Sequence, residues 1–427
     1  MIQRLLTPVL ALFLMASSSL GLAEVKVSEL NPTPMMSAET RLLVSLLEQV
    51  HFDGTPISDL ELDKLLPNFM SDLDYNRLFF TERDHDEIVK EFGAGLEFNL
   101  RNGDLRAAFQ VYNLFRERAL DRIDWVIARL DGDFSFDTDA AYQTNRHEQP
   151  WPADQAEADI LWEKRLAYEL LADLLNDKDL EEAKSNVTRR YERLRRTLRD
   201  TEAHEVQEVF LSSFSKLYDP HSSFLSASTL EDFSIQMQLS LVGIGAQLLS
   251  EDGYCTIKEL IPGGPAALDQ RLKPNDRIVA VAQDGEEPVD VIDMKLRHVV
   301  EMIRGEKGTT VHLTVIPAEA TDSSVRRTIS LIRDEIRLTA SRARATVHEV
   351  PGEDGQIVPI GVIEVPSFYG SVGSERPGHT KTSTTDDVRE LIGVLKEAGI
   401  EALVLDFRRN GGGLLTEAIR LTGLFIE

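Results

Sequence analysis

Cys255 is the only thiol in the 427-residue chain. A lone cysteine excludes an intramolecular disulfide and any paired-thiol metal site. It stands in YCTIKEL, an apolar strand pattern, and reads as a buried core thiol. Basic residues are also in short supply. The 46 Lys and Arg against 72 Asp and Glu leave a net charge of −26. That balance argues against general binding to nucleic acid or to an anionic membrane. Long apolar runs are missing after residue 15. The one near the start, residues 5–15, follows Arg4 and leads through small residues to Gly21-Leu22-Ala23 before Glu24. This is the pattern of a cleaved secretory signal peptide over residues 1–23, too short for a stable membrane span. An uncleaved anchor is the alternative. No cysteine lies near Ala23, so a lipoprotein anchor is excluded. The mature chain is expected in an exported, oxidising compartment, where a large domain needs no disulfide.

The length corresponds to about three domains. Residues 24–37 are polar and proline-containing and read as a tail. Helical periodicity then dominates to about residue 230, defining a helical domain over 24–230. Leu42, Leu43, Leu46, Leu47 and Val50 form one apolar face. Leu105, Phe109, Tyr112, Phe115, Leu120, Ile123 and Ile127 form another, and Leu166, Leu170, Leu171, Leu174 and Leu175 a third. Residues 131–152 read as a loop. The arginine-rich RRYERLRRTLR (189–199) reads as a solvated helix face paired with acidic neighbours. Asp219, His221 and Ser222, in DPHSSFL, tempt a catalytic-triad reading. A triad needs the acid behind the imidazole and the nucleophile in front of it. Residues this close in sequence form an Asp-Pro turn with capping hydroxyls instead.

Residues 235–335 read as a small β domain. VGIGAQLL (242–249) is a glycine turn leading into a strand, and residues 254–260 form a second strand. PGGPAAL leads into a short helix, KPND into another strand, and residues 294–303 form a helix with Leu296, Val299, Val300 and Ile303 on its apolar face. The run PGGPAALDQRLKPNDRIVAV resembles the signature of bacterial, circularly permuted PDZ domains. Asn275 stands where that family usually has Gly, and Asn tolerates the left-handed conformation the turn needs. The resemblance implies a peptide groove between the strand that begins at Ala246 and the helix that carries Leu296. An incoming C-terminal segment would add as an extra strand. Its carboxylate would meet the N–H groups of Val242, Gly243, Ile244 and Gly245. Its last apolar side chains would rest on Ile244, Leu248, Val299, Val300 and Ile303. For Leu248 and Val300, plain core packing is the alternative.

Residues 336–427 show strand, helix, strand, glycine loop, helix. This is a βαβ unit with a parallel sheet. The first strand is IGVIEV (360–365). Residues 370–386 form a long polar loop, Thr384 or Thr385 caps the next helix, and Gly399 ends it. The stretch EALVLDFRRNGGGLL then carries a strand into Gly411, Gly412 and Gly413 at a helix start. Bare N–H groups at such a place can hold a phosphate, a carboxylate or a reaction oxyanion. A tight turn with no ligand is the competing reading.

DPHSSFL, VGIGAQL, the PDZ run and DFRRNGGGLLTEAIRLTGLFI occur in the order found in the tail-specific, or C-terminal processing, proteases. The chain resembles that family over nearly its whole mature length, and its long helical region resembles the large periplasmic subtype of Gram-negative bacteria. The implied architecture is multidomain α+β: a helical N-terminal domain, a PDZ-like domain, and over 336–427 the first part of a protease domain related to Clp-protease and crotonase-like folds. The implied function is a periplasmic serine endopeptidase that recognises apolar C-terminal tails and cleaves with a serine nucleophile and a lysine base. Implied partners are protein or peptide substrates with apolar C-termini, and an adaptor protein; no cofactor, metal or stable membrane span is implied. The serine and lysine are expected downstream of the GGG…GLF motif, beyond Glu427, and Ser367 and Lys396 match no motif. The chain is therefore expected to bind tails without cutting them. Gly412 or Gly413 is implied as one oxyanion-hole donor. A secreted PDZ adaptor without catalysis is the alternative, and a hydrolase built on Asp219, His221 and Ser222 a more distant one.

Overall fold

A computed structural model describes residues 28–322, 324–352, 355–372 and 382–426. The expected signal peptide, residues 1–23, and most of the expected polar loop of 370–386 lie outside the described residues. The chain divides into two compact units, residues 1–224 and 225–427.

In the first unit the described residues form a helical bundle: α1 (Pro34–Val50), α2 (Leu65–Leu73), α3 (Glu82–Phe92), α4 (Leu96–Asn102), α5 (Arg106–Leu130), α6 (Gln155–Leu174), α7 (Leu180–Asp200) and α8 (Ala203–Ser215). The helix α1 begins inside the stretch expected as a tail. Thr33 caps it by accepting from the Met36 N–H, and Pro34 takes a first-turn position where no N–H is needed. Its buried face is also not the expected one. Met36, Thr40 and Val44 are buried, with Leu43 and Leu47 partly so, whereas Leu42, Leu46 and Val50 are exposed. Spacing alone could not tell these two stripes apart. The central helix α5 buries Ala108, Phe109, Val111, Phe115, Ile123 and Val126. Each large side chain so removed from water stabilises the fold by about 1.5–3 kcal/mol. On α6, Leu166 and Leu170 are core, but Leu171 and Leu175 are exposed. The loop before α6 is anchored by Trp151, whose Nε1–H donates to Asp74 at 3.0 Å; the same carboxylate takes the N–H groups of Leu78, Phe79 and Phe80. Within the arginine-rich helix α7, Arg190 pairs with Glu169 and Arg195 with Asp124.

The second unit opens with α9 (Ala227–Gln238) and β1 (Ser240–Gly243). Then come β2 (Ala246–Glu251), β3 (Tyr254–Leu260), α10 (Pro265–Asp269), β4 (Arg277–Gln283), β5 (Val289–Asp290), α11 (Leu296–Ile303), β6 (Thr310–Ile316), β7 (Arg327–Ile332) and β8 (Asp334–Arg337). A sheet runs in the order β2-β3-β4-β6-β7, with β5 on β4, and β1 pairs separately with β8. Thus β2 is an edge strand, and its pairing with β3 is broken by a bulge at Gln247/Leu248. Asn275 adopts φ 70°, the left-handed geometry its turn requires. Cys255 is buried in the core with Ile257, Ile278 and Val299, and burial raises its thiol pKa to about 12.

The remaining elements are β9 (Arg344–Pro351), β10 (Ile357–Glu364), α12 (Thr384–Glu397), β11 (Ala402–Asp406) and α13 (Leu415–Thr422). The strands β10 and β11 are parallel, joined through α12 as the βαβ reading requires, and β9 adds an antiparallel strand. The cap of α12 is Ser383, which accepts from the Asp386 N–H at 3.2 Å; Thr384 and Thr385 lie inside the helix and are fully buried. Gly399 takes φ 77° just past the helix end.

Candidate functional site

Two places bring together backbone N–H groups and open surface. The first is where β1 gives way to β2. The Ile244 carbonyl accepts from Ala266 N–H and the Gly245 carbonyl from Ile261 N–H, both at 2.8 Å. Their own N–H groups have no partner among the described residues. Carbonyls tied inward and amides left free make a site for an anion. Gly245 has φ 77°, and a Cβ there would lie 3.0 Å from the Gly264 Cα, so the two backbones touch because neither residue has a side chain. The β1–β8 ladder, with Leu338 N–H donating to the Leu239 carbonyl, turns the Gly243 N–H toward β8 and that of Val242 away from it. Of the four expected donors Gly243 is therefore spent on β8, and those of Val242, Ile244 and Gly245 have no partner among the described residues.

Beyond that turn, β2 presents its open edge, starting at Ala246, and α11 packs beside it. The side chains expected to line a groove divide into two sets. Ile244, Val299 and Ile303 are buried in the domain core, while Leu248, Leu296 and Val300 are half-buried and keep surface between β2 and α11. The amphipathic face of α11 is wider than a groove, so its inner residues go to the core and its flank to the surface. Sequence gave no hint of the residue that anchors the end of α11. The buried Arg333 donates to the Met302 and Ile303 carbonyls, to Gln283 Oε1, to Thr309 Oγ1 and to the Thr310 carbonyl. It fastens the C-terminus of the helix to the sheet.

The second place is the glycine loop between β11 and α13. Gly411 N–H donates to the Pro366 carbonyl (3.2 Å), Gly412 N–H to Asn410 Oδ1 (2.8 Å), and Leu414 N–H to the Phe368 carbonyl (2.8 Å). The Gly413 N–H has no partner among the described residues. Of the two expected donors, Gly412 is thus already committed and Gly413 is free. Gly413 has φ 135°, and a Cβ on it would sit 2.5 Å from the Phe368 carbonyl oxygen, so only glycine lets the loop lie against the Phe368 backbone. The start of α13 is held by Glu417. Burial alone would raise its pKa, but the Thr385 N–H, the hydroxyls of Ser383 and Thr385, and Arg420 hold it below the usual value.

Helix α9 touches both places. Asp232 pairs with Arg297 at 3.1 Å and with Arg304 at 3.2 Å, at the two ends of α11. At the other end of α9 the Met237 carbonyl accepts from Gly370 N–H at 2.7 Å, two residues after Phe368, which lies on the glycine loop. Ser367 is half-buried, and Lys396 is exposed on the last turn of α12, whereas a lysine base requires burial to lose its charge. Asp219 and Ser222 do meet a histidine, but it is His51; the His221 ring is exposed.

Comparison with known proteins places this architecture. Residues 43–228 match the tail specific protease N-terminal domain, 232–316 the PDZ domain, and 359–427 peptidase family S41. These matches define a chain with a PDZ domain and a peptidase family S41 segment. The tail-specific protease of Haemophilus influenzae is 34% identical over 397 residues, covering 92% of this chain and 54% of that protein. The carboxy-terminal processing protease CtpA of Bacillus subtilis is 30% identical over 222 residues, covering 52% of this chain and 41% of that protein. A solved structure of the PDZ domain of a carboxy-terminal protease from Vibrio cholerae, in complex with peptide, is 47% identical, with a TM-score of 0.23; the match covers 23% of this chain and all of that one. The chain belongs to the tail-specific protease family. It spans about half the length of the curated relatives it matches, or less.

Proposed function

We propose that the protein is an exported, periplasmic serine-type endopeptidase that captures apolar C-terminal tails in its PDZ groove, and that this chain contributes the groove and one oxyanion donor. The carrying observation is the pair of N–H groups on Ile244 and Gly245, without partners among the described residues, at the head of the open β2 edge. A tail adding to β2 would satisfy its own backbone on that edge. Its carboxylate would accept from those two amides, and its apolar side chains would cover Leu248, Leu296 and Val300. In the whole protein, Gly413 N–H would donate to the carbonyl oxygen of the bond under attack, where negative charge develops; one such donor is worth about 2.7–4 kcal/mol of barrier. The α9 contacts support coupling of the two places. A tail that binds more tightly when the loop is aligned would draw the protein toward that state, and only by its difference in affinity.

Calorimetric titration of the full chain with a peptide ending in apolar residues, as the free acid and as the C-terminal amide, tests the capture step. The acid is expected to bind at least about tenfold more tightly, the equivalent of one charge-assisted hydrogen bond. Equal affinities reject carboxylate capture.

A further inference from the structure

Asn410 closes the turn that leads from β11 into the glycine loop. Its N–H donates to the Phe407 carbonyl at 3.0 Å, and Arg409 between them takes φ 66°, a conformation uncommon outside glycine. Its side chain then spans the loop. Nδ2 donates to the Val365 carbonyl at 2.8 Å, just beyond the end of β10, and Oδ1 accepts from the Gly412 N–H at 2.8 Å.

The consequence lies in which amides remain. Of the four N–H groups from 411 to 414, two are tied by the carbonyls of Pro366 and Phe368 in the segment after β10, and one by Asn410. Among the described residues nothing else holds Gly412 by its amide. No atom lies within 4 Å of where a Cβ on Gly411 or Gly412 would be. Glycine peptides in such open space rotate readily, because no side chain resists them. Without Oδ1, the Gly412 N–H would be a second loose donor beside that of Gly413, whose own peptide is held by the Phe368 N–H donating to the Gly412 carbonyl at 2.8 Å.

We infer that Asn410 is a positioning residue: its carboxamide withdraws the Gly412 N–H, so that Gly413 alone presents a donor to a substrate carbonyl oxygen. This rests on the reading of the loop as an oxyanion donor. A preformed donor needs no reorganisation when charge develops, which is the source of its effect.

Amide hydrogen exchange of the full chain, labelled with [15N]glycine, tests it. In the wild type Gly412 is expected to be protected and Gly413 to exchange fast. Asn410→Ala should speed Gly412 at least tenfold while leaving Gly361 in β10 unchanged. Asn410→Asp keeps an acceptor oxygen and should restore Gly412 protection despite losing the bond to Val365, which a merely structural role would not do. Unchanged Gly412 protection in Asn410→Ala, or equal loss in both variants, overturns the assignment. Titration with acetate separates the two ideas. A Gly413 signal that does not move in the wild type counts against the oxyanion reading, whereas the exchange result judges Asn410 by itself.

Discussion

His51 Nε2 lies 3.1 Å from Asp219 Oδ2, although 168 residues separate the two in sequence. The Ser222 hydroxyl donates to the same oxygen, and His221 N–H donates to Oδ1 at 2.8 Å. His51 Nδ1 accepts from the Asp53 N–H, so its proton sits on Nε2 and points at the carboxylate. An imidazole in that tautomer has no lone pair for the Ser222 hydroxyl. The cluster clasps the end of α1 to the DPHSS turn and is no triad. A fluorophosphonate serine probe is expected to leave Ser222 unlabelled; stoichiometric labelling there would reverse this view.

The clasp carries a pH signature. The Ser222 hydroxyl, then the His221 N–H and His51, depress the Asp219 pKa from 3.8 to about 2. Between those values the unfolded chain binds more protons than the folded one, so stability rises with pH across the window. The contribution is complete above about pH 4 and fades as pH falls toward 2. Asp219→Asn should flatten the acid-unfolding curve of the helical unit in that window, with little change at pH 7 in its slope against pH. An identical curve for variant and wild type would remove Asp219 from the account.

The glycines of the loop should differ sharply. Gly413→Ala must push apart the Phe368 backbone and is expected to cost on the order of 1–3 kcal/mol, as overpacking does. Gly411→Ala meets no atom within 4 Å and should be nearly neutral. Hydrogen exchange across β10 and β11 reads both. Equal tolerance at 411 and 413 would mean the close approach to Phe368 is not held in solution.

Arg333 offers a test of how the groove helix is held. Its guanidinium meets carbonyl, amide and hydroxyl oxygens, and no carboxylate is among its hydrogen-bond partners. Arg333→Met takes the donor from the Ile303 carbonyl and Gln283 Oε1, at about 1–3 kcal/mol for each group left wholly unsatisfied, while the Met302 carbonyl keeps its bond from Gln283 Nε2. Arg333→Lys should rescue little, since a single ammonium cannot span the fork. Tail-peptide affinity should fall with both, measured by the same titration as above. Full rescue by lysine would make the site a simple charge requirement.

Cys255 supplies a simple reporter. Its thiol is buried and its pKa is raised by that burial, so the reactive thiolate is scarce at neutral pH. An aromatic disulfide reagent should titrate no thiol in the native chain and one in denaturant. Rapid native labelling would show that the PDZ core opens.

Much of the architecture was legible because local pattern and tertiary demand agree in it. The strand at Tyr254–Leu260, the Asn275 turn and the parallel pair β10 and β11 all follow from alternation, turn chemistry and connection rules. Where the reading missed, the deciding contact is long-range. The α1 helix has two apolar stripes, and only its neighbours determine which is buried. Ser383 caps α12 because Thr384 and Thr385 are needed inside, against Tyr369 and Glu417. The pairing of His51 with Asp219, the role of Arg333 and the reach of Asn410 to Val365 leave no periodic trace. The glycine run announced an amide-lined loop, but which amide is free depends on the side chain just before it.

The bulge at Gln247 and Leu248 bears on how the protein behaves in a crowded solution. A strand held available for a guest is equally available to the same strand of a neighbouring molecule, and long flat borders of that kind seed fibres. The kink twists β2 and breaks its regular spacing after two residues. Short tails can still settle on either side of it, whereas two copies cannot zip together along their length. Receptiveness and resistance to self-stacking are thus met by one irregularity, and a variant that straightens it should precipitate on concentration before it loses its fold.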